Sequence, residues 1–328
     1  MVDTPKPSSR GLRARFLGAI MLGVRSAGRT TVFLLKIIVP VSLAVAILGW
    51  SGILERIAAF TAPLMRLLGL SGDAALVFIS SILLNIYSAL AVAGSLALDH
   101  RQTTILAIMC LTAHNLIMET AVMRKAGSSA WKMVALRLVM AVVVGWLFNL
   151  LLPRALGASA MAAVGPASRP ELLAMLLAWA ASTLRLALRI IVIVLAIMIA
   201  QRLLEEFRVM DWLAGLLSPF MRLLGLPRRA SFLWIVINVV GYAYGAGIIV
   251  EQIETGGMTK EEGDLLNHHA GMCHSLMEDT ALFLAAGCPL VWITLPRLAL
   301  AVAVVWLELL RRRLFRSGPG VLGPRVGA

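Results

Sequence analysis

The chain has 328 residues, a formal net charge of +13, 60% hydrophobic and 14% charged residues, and a mean hydropathy of +0.89. A soluble domain carries roughly 25% charged residues, so a soluble enzyme or binding module is excluded. The basic excess sits before the first long apolar run (Lys6, Arg10, Arg13, Arg15, Arg25, Arg29) and after the last (Arg311, Arg312, Arg313, Arg316, Arg325). That placement fits the positive-inside rule and argues against a nucleic-acid arm.

In chain order, residues 1–30 read as a basic cytoplasmic segment. A first span follows over 31–50, too long for a signal-peptide core and lacking a small-residue cleavage site, so it is expected to remain as an anchor. A short amphipathic piece (57–69) leads into an interrupted segment (73–98) holding Asn85, Tyr87, Ser88 and Gly94. A helix carrying His and acid (103–123) and a closing apolar span (130–152) complete a unit at 31–152. Residues 153–171, rich in Ala, Gly, Ser and Pro, form a linker. The same order returns at 184–204, 211–225, 230–251, 260–284 and 290–310, giving a second unit at 172–310 and a basic cytoplasmic tail at 311–328. Lipid cannot satisfy backbone polar groups, so the apolar runs must be helices. The expected fold is an all-α polytopic membrane protein of two homologous multi-helix repeats, with about 8–10 transmembrane helices.

Self-similarity supports this division. Pro63–Leu70 returns as Pro219–Leu226, and His114-Asn-Leu-Ile-Met-Glu-Thr-Ala returns as His274-Ser-Leu-Met-Glu-Asp-Thr-Ala. From there the halves run in register at an offset of 160, with 14 of 37 positions identical, including Gly127/Gly287, Arg137/Arg297 and Trp146/Trp306. Shared apolar composition does not bring His, Gly, Arg and Trp into register. If both basic termini are cytoplasmic, the number of crossings is even, and five crossings per unit would invert the second copy and place the linker outside. Inversion is the favoured reading, as in many transporters with a site at the repeat interface. Four crossings per unit with a parallel copy is the alternative.

Ionisable groups inside apolar stretches are costly and therefore candidates for function. Asn115 with Glu119, and Ser275 with Asp279, are four apart. On a continuous helix Asn267, His274 and Glu278 would share one stripe. The second copy carries the larger polar load. Three readings stay open for the cluster. His114 and His274 hydrogen-bond across the bundle while the acids pair with Arg137 and Arg297; or acid and His bind a small polar solute or relay a proton; or His268, His269, Cys273, His274, Glu278 and Asp279 hold a divalent metal. The run from Asn238 to Gly247, with Tyr244, is either close packing or a broken, re-entrant helix lining a cavity. Met198, Met210 and Met221 read as packing. Cys110, Cys273 and Cys288 read as reduced thiols. No HExxH or CxxC pattern is present, and no enzyme is expected.

The paired His-[Asn/Ser]-Leu-x-x-[Glu/Asp]-Thr-Ala signatures, each followed by Gly127 or Gly287 and then Arg137 or Arg297, resemble those of the gate-domain or nucleoside recognition membrane proteins. The resemblance covers residues 31 to 310. The group is similar to the permease core of ferrous-iron transporters, to concentrative nucleoside transporters and to spore maturation membrane proteins. It implies a helical permease of the cytoplasmic (inner) membrane, with nucleoside-like solute and cation both open as substrates. Expected partners are membrane lipid and a small-molecule or ion substrate, with self-association open. No cofactor is expected beyond a divalent metal or coupling ion.

Overall fold

The computed structural model describes residues 11–157 and 171–316. Most of the expected linker and the outer parts of both basic termini, including Lys6, Arg10 and Arg325, lie outside the described residues. Among the described residues the regular structure is helical. The first half holds α1 (Leu12–Ser51), α2 (Ile53–Leu67), α3 (Ala74–Leu83), α4 (Ile86–Ala93), α5 (His100–Thr112), α6 (Leu116–Lys125) and α7 (Ala130–Leu151). The second holds α8 (Leu172–Glu206), α9 (Val209–Leu217), α10 (Ser231–Val239), α11 (Tyr242–Glu254), α12 (Lys260–Met272), α13 (Glu278–Ala285) and α14 (Leu290–Arg316). The two sets correspond helix for helix. The shared start of α5 and α12 has a local cause. Asp99 with Gln102, and Thr259 with Glu262, each form a complete capping box that satisfies the first free N–H groups.

Contacts between the halves come in reciprocal pairs. Gly127 lies against Lys260 and Gly287 against His100, each at an offset of 160. Other contacts repeat within each half: Asn149 donates to the Leu67 carbonyl, and Trp306 to that of Leu223. Arg137 donates to the His114 carbonyl, and Arg297 to that of His274. The exchange of Gly127 on Lys260 for Gly287 on His100 is the signature of a two-fold relation. Its sense can be read at both ends of α7 and α14. Lys132, at the start of α7, meets Glu308, late in α14, at 2.7 Å. Phe148, late in α7, packs edge-on to Trp292, early in α14, at 5.7 Å between ring centres. Corresponding helices therefore run antiparallel. The α1–α8 pair does the same, with Arg15 on Glu206 at 2.7 Å and Ser42 on Thr183 at 3.2 Å.

The apolar runs at 74–98 and 232–250 do not cross as single helices. α3 and α4 fold back on each other, as do α10 and α11. Eight to thirteen residues per helix cover roughly 12–20 Å, short of a bilayer core of about 30 Å. Each pair is a hairpin that enters and leaves by one end. Among the described residues four segments are long and apolar enough to span alone: 100–125, 130–151, 172–206 and 290–315. Both His/acid segments, expected as continuous helices, are broken in the middle: α5 stops at Thr112 and α6 starts at Leu116, while α12 stops at Met272 and α13 starts at Glu278.

Candidate functional site

The breaks are where the chemistry collects. Asn115 (φ 47°) and Ser275 (φ 49°) adopt the left-handed conformation, uncommon for residues other than glycine. In each half the hairpin tip accepts what the break frees. The Asn115 N–H donates to the Ser81 carbonyl at 2.8 Å, and the Ser275 N–H to that of Ile237 at 2.9 Å. The Met277 N–H donates to the Asn238 carbonyl at 3.1 Å. Arg137 donates from Nε to the Thr112 carbonyl (3.0 Å) and from Nη2 to that of His114 (2.9 Å), and Arg297 Nη2 donates to that of His274 (2.5 Å). Both arginines are fully buried and replace the solvent that a helix end would need. Arg137 stands within two turns of the middle of α7, which puts this crossing point near mid-depth.

At the crossing, His114 Nε2 and His274 Nε2 approach to 3.1 Å, with ring centres 4.8 Å apart. Glu119 Oε1 lies 3.1 Å from the first nitrogen and 3.4 Å from the second, and Asp279 Oδ2 lies 3.8 Å from His114 Nε2. All four residues are buried. The halves then diverge. Glu119 Oε2 pairs with Arg137 Nη1 at 2.7 Å. Asp279, its counterpart, is one methylene shorter and makes no ion pair with Arg297 among the described residues. Asp279 Oδ2, Arg297 Nε and Nη1, Thr280 Oγ1 and Asn238 Oδ1 are buried without hydrogen-bond partners, as are Thr120 Oγ1 and Ser81 Oγ in the first half.

The other sequence candidates divide. Asn267 accepts from Tyr242 Oη at 2.9 Å and donates to Ser128 Oγ at 2.9 Å, while the Tyr242 ring stacks obliquely on His274 at 5.5 Å. Asn238 donates to the Trp234 carbonyl and carries the hairpin tip. The Tyr244 side chain lies outside the described residues. The break removes the expected stripe of Asn267, His274 and Glu278: Tyr87 Oη of the opposite half donates to Glu278. Nor do the residues proposed for a metal gather on one helix. His269 Nε2 accepts from Trp234 Nε1 at 3.4 Å, and Cys273 is buried at the break. His268 points at Asp264 and Glu308, whose carboxylates are held by Ser128, Lys132, Arg311 and Arg312. Sequence reading placed Tyr87 and Tyr242 in the interrupted segments without assigning them to the site, and it missed this second network. Its signal was Glu308 inside an apolar span.

An apolar cavity of about 240 Å³, lined by Val77, Leu90, Gly94, Leu186, Arg189 and Phe283 among others, lies one turn of α13 from Asp279. The polar cluster itself is closed.

Comparison with known proteins gives one family. A family model described as Gate, nucleoside recognition, matches residues 31–130 and again 187–306. An uncharacterized membrane protein of Bacillus subtilis (strain 168), YvoD, is 31% identical over 299 residues, covering 87% of this chain and 94% of that protein. No solved structure matches.

Proposed function

The chain belongs to the nucleoside recognition (Gate) family of membrane proteins, and from that premise we propose that it is a cytoplasmic-membrane permease. A small polar solute or cation passes the point where the two broken helices meet. The observation that carries this reading is the pairing, near mid-depth, of two hairpin tips with two helix breaks around His114, His274, Glu119 and Asp279. Irregular backbone at membrane depth is tolerated where it is buried in protein or lines a path, and it is the common way transporters build a solute site. Partnerless atoms on Asp279, Arg297, Thr280 and Asn238 offer both donors and acceptors to a solute. The adjacent cavity supplies an approach.

Topology follows from the same elements. With hairpins that turn back, each half crosses three times: once by its long first helix, once by its broken helix and once by its last. Three is odd, so the second half is inverted and both termini share a face. That face gathers Arg124, Lys125, Lys260, Arg311 and Arg312, and by the positive-inside rule it is cytoplasmic. Arg229, bonded to Glu262 at the start of α12, falls on the same face.

Purified protein in liposomes, offered radiolabelled nucleosides in one series and divalent metals in another, tests the reading. Saturable flux for either class, lost in His274→Ala, supports it. Absence of flux for both leaves a membrane scaffold, the reading favoured by the neutralised Glu119–Arg137 pair.

A further inference from the structure

The hydrogens around the histidine pair can be assigned from their partners. His114 Nδ1 faces the Cys110 carbonyl at 2.9 Å, and His274 Nδ1 faces the Ala270 carbonyl at 2.6 Å. A carbonyl oxygen only accepts, so each Nδ1 carries the hydrogen and each neutral ring presents Nε2 as a bare lone pair. Glu119, paired with Arg137, also only accepts. With both rings neutral and Asp279 ionised, the crossing brings together Nε2, Nε2, Oε1 and Oδ2, four acceptors with no donor among them. Something positive belongs at their centre.

A single proton between the imidazoles would serve two of the four and would favour a straight N–H···N line. The rings do not lie that way. Adding a ring radius at each end of the 3.1 Å N···N distance in a straight line gives more than the observed 4.8 Å between centres. Both lone pairs are bent off that line, while Glu119 Oε1 sits 3.1 and 3.4 Å from the two nitrogens.

We propose that His114 Nε2, His274 Nε2 and Asp279 Oδ2, with Glu119 Oε1 as fourth ligand, form a seat for a divalent transition-metal ion, deepening the permease reading on which it rests by naming a cation as the cargo. The ligand atoms of His114, His274 and Asp279 all lie within 4.8 Å of one another. Metal–nitrogen and metal–oxygen bonds of about 2.0–2.2 Å put tetrahedral ligand atoms roughly 3.3–3.5 Å apart, which the distances of 3.1 to 3.8 Å from His114 Nε2 to the other three ligand atoms bracket. Two imidazoles with two carboxylates select a borderline ion of the zinc, cobalt or iron(II) kind over calcium or magnesium. Each ligating ring is oriented by its other nitrogen on a backbone carbonyl, the usual outer shell of a metal-binding histidine. Asp279 is available because it is too short to reach Arg297. Counting Glu278, three carboxylates face two guanidiniums, so a divalent ion leaves one net positive charge. That balance holds the ion reversibly and suits passage.

The test is a cobalt(II) titration of tag-free, full-length protein in nanodiscs, read by visible absorption and by metal stoichiometry, with zinc(II) as competitor. The expected result is one cobalt per chain with the intense bands of a tetrahedral nitrogen–oxygen site. His114→Gln and His274→Gln abolish these bands, and Asp279→Asn weakens binding about 100-fold. His268→Gln, in the network already filled by Lys132, Arg311 and Arg312, leaves binding unchanged. Folding is checked independently by a zinc-dependent rise in melting temperature, present in wild type and His268→Gln and absent in His274→Gln. No saturable binding to wild type overturns the proposal, and so does binding that survives both histidine substitutions or is lost in His268→Gln. Metal bound without flux of any solute removes the permease and keeps the seat. Nucleoside flux without metal binding does the reverse.

Discussion

Glu119 and Asp279 occupy equivalent positions and differ by one methylene, and the consequences concentrate in their arginines. Arg137 makes an ion pair and two carbonyl hydrogen bonds, whereas Arg297 keeps two N–H groups without partners. A buried unsatisfied polar group costs about 1–3 kcal/mol. Asp279→Glu, which reaches Arg297 as Glu119 reaches Arg137, is expected to raise the melting temperature of the purified protein. Glu119→Asp is expected to lower it. Arg137→Ala strands a buried carboxylate and costs about 3–5 kcal/mol, more than Arg297→Ala. Equal losses in the two arginine variants, read by thermal unfolding in detergent, would contradict this asymmetry. The sequence register does place Glu119 opposite Asp279 and Arg137 opposite Arg297. It does not tell which pair closes, because that depends on reach across a fixed gap between α7 or α14 and the broken helix.

The breaks themselves were only half legible. Asn85, Gly241 and the glycines after it mark the hairpin tips as irregular, since Gly241 (φ 114°, ψ 158°) adopts a conformation open essentially to glycine alone. Ala113–Asn115 and Cys273–Met277 contain neither Gly nor Pro, and their apolar pattern runs on as if the helix did. What breaks them is tertiary: the Ser81 and Ile237 carbonyls take the N–H groups of Asn115 and Ser275, and buried arginines take the carbonyls on the other side. Stripes drawn at helical spacing across those points therefore fail, as with His274 and Glu278. Three substitutions separate the causes. Gly241→Ala has room, its nearest neighbour being Ser275 Oγ at 3.8 Å, so its expected loss of about 1–3 kcal/mol is backbone strain alone. Ser275→Gly relieves a left-handed residue and is expected to be neutral or mildly stabilising, while Ser275→Val destabilises. Melting temperatures of the three variants check this, and a stabilising Gly241→Ala would count against the break as drawn.

At the scale of the molecule, the two ends of one scaffold have been given opposite chemistry. Ser128, Lys132, Asp264, His268, Glu308 and Arg312 form a charged network at one end. The positions 160 away at the other end hold Cys288, Trp292, Thr104, Ile108, Phe148 and Leu152. The duplication was readable from residue register and inversion was the favoured reading, but the number of crossings was not readable, because crossings counted from apolar runs include two hairpins that do not cross. In the proposed topology, taking the hairpins as turns and the short α2 and α9 as non-crossing leaves three crossings per half and puts Arg229 with Lys260 on the basic face. The claim has a direct measurement. With Cys110, Cys273 and Cys288, all buried, replaced by alanine, single cysteines at His100 and Lys260 stand at the starts of α5 and α12, equivalent positions on corresponding helices. In intact cells a membrane-impermeant maleimide is expected to label position 100 and to spare position 260 until the membrane is opened. Labelling of both from one side would make the halves parallel, and the reverse pattern would keep the inversion but turn the basic face outward.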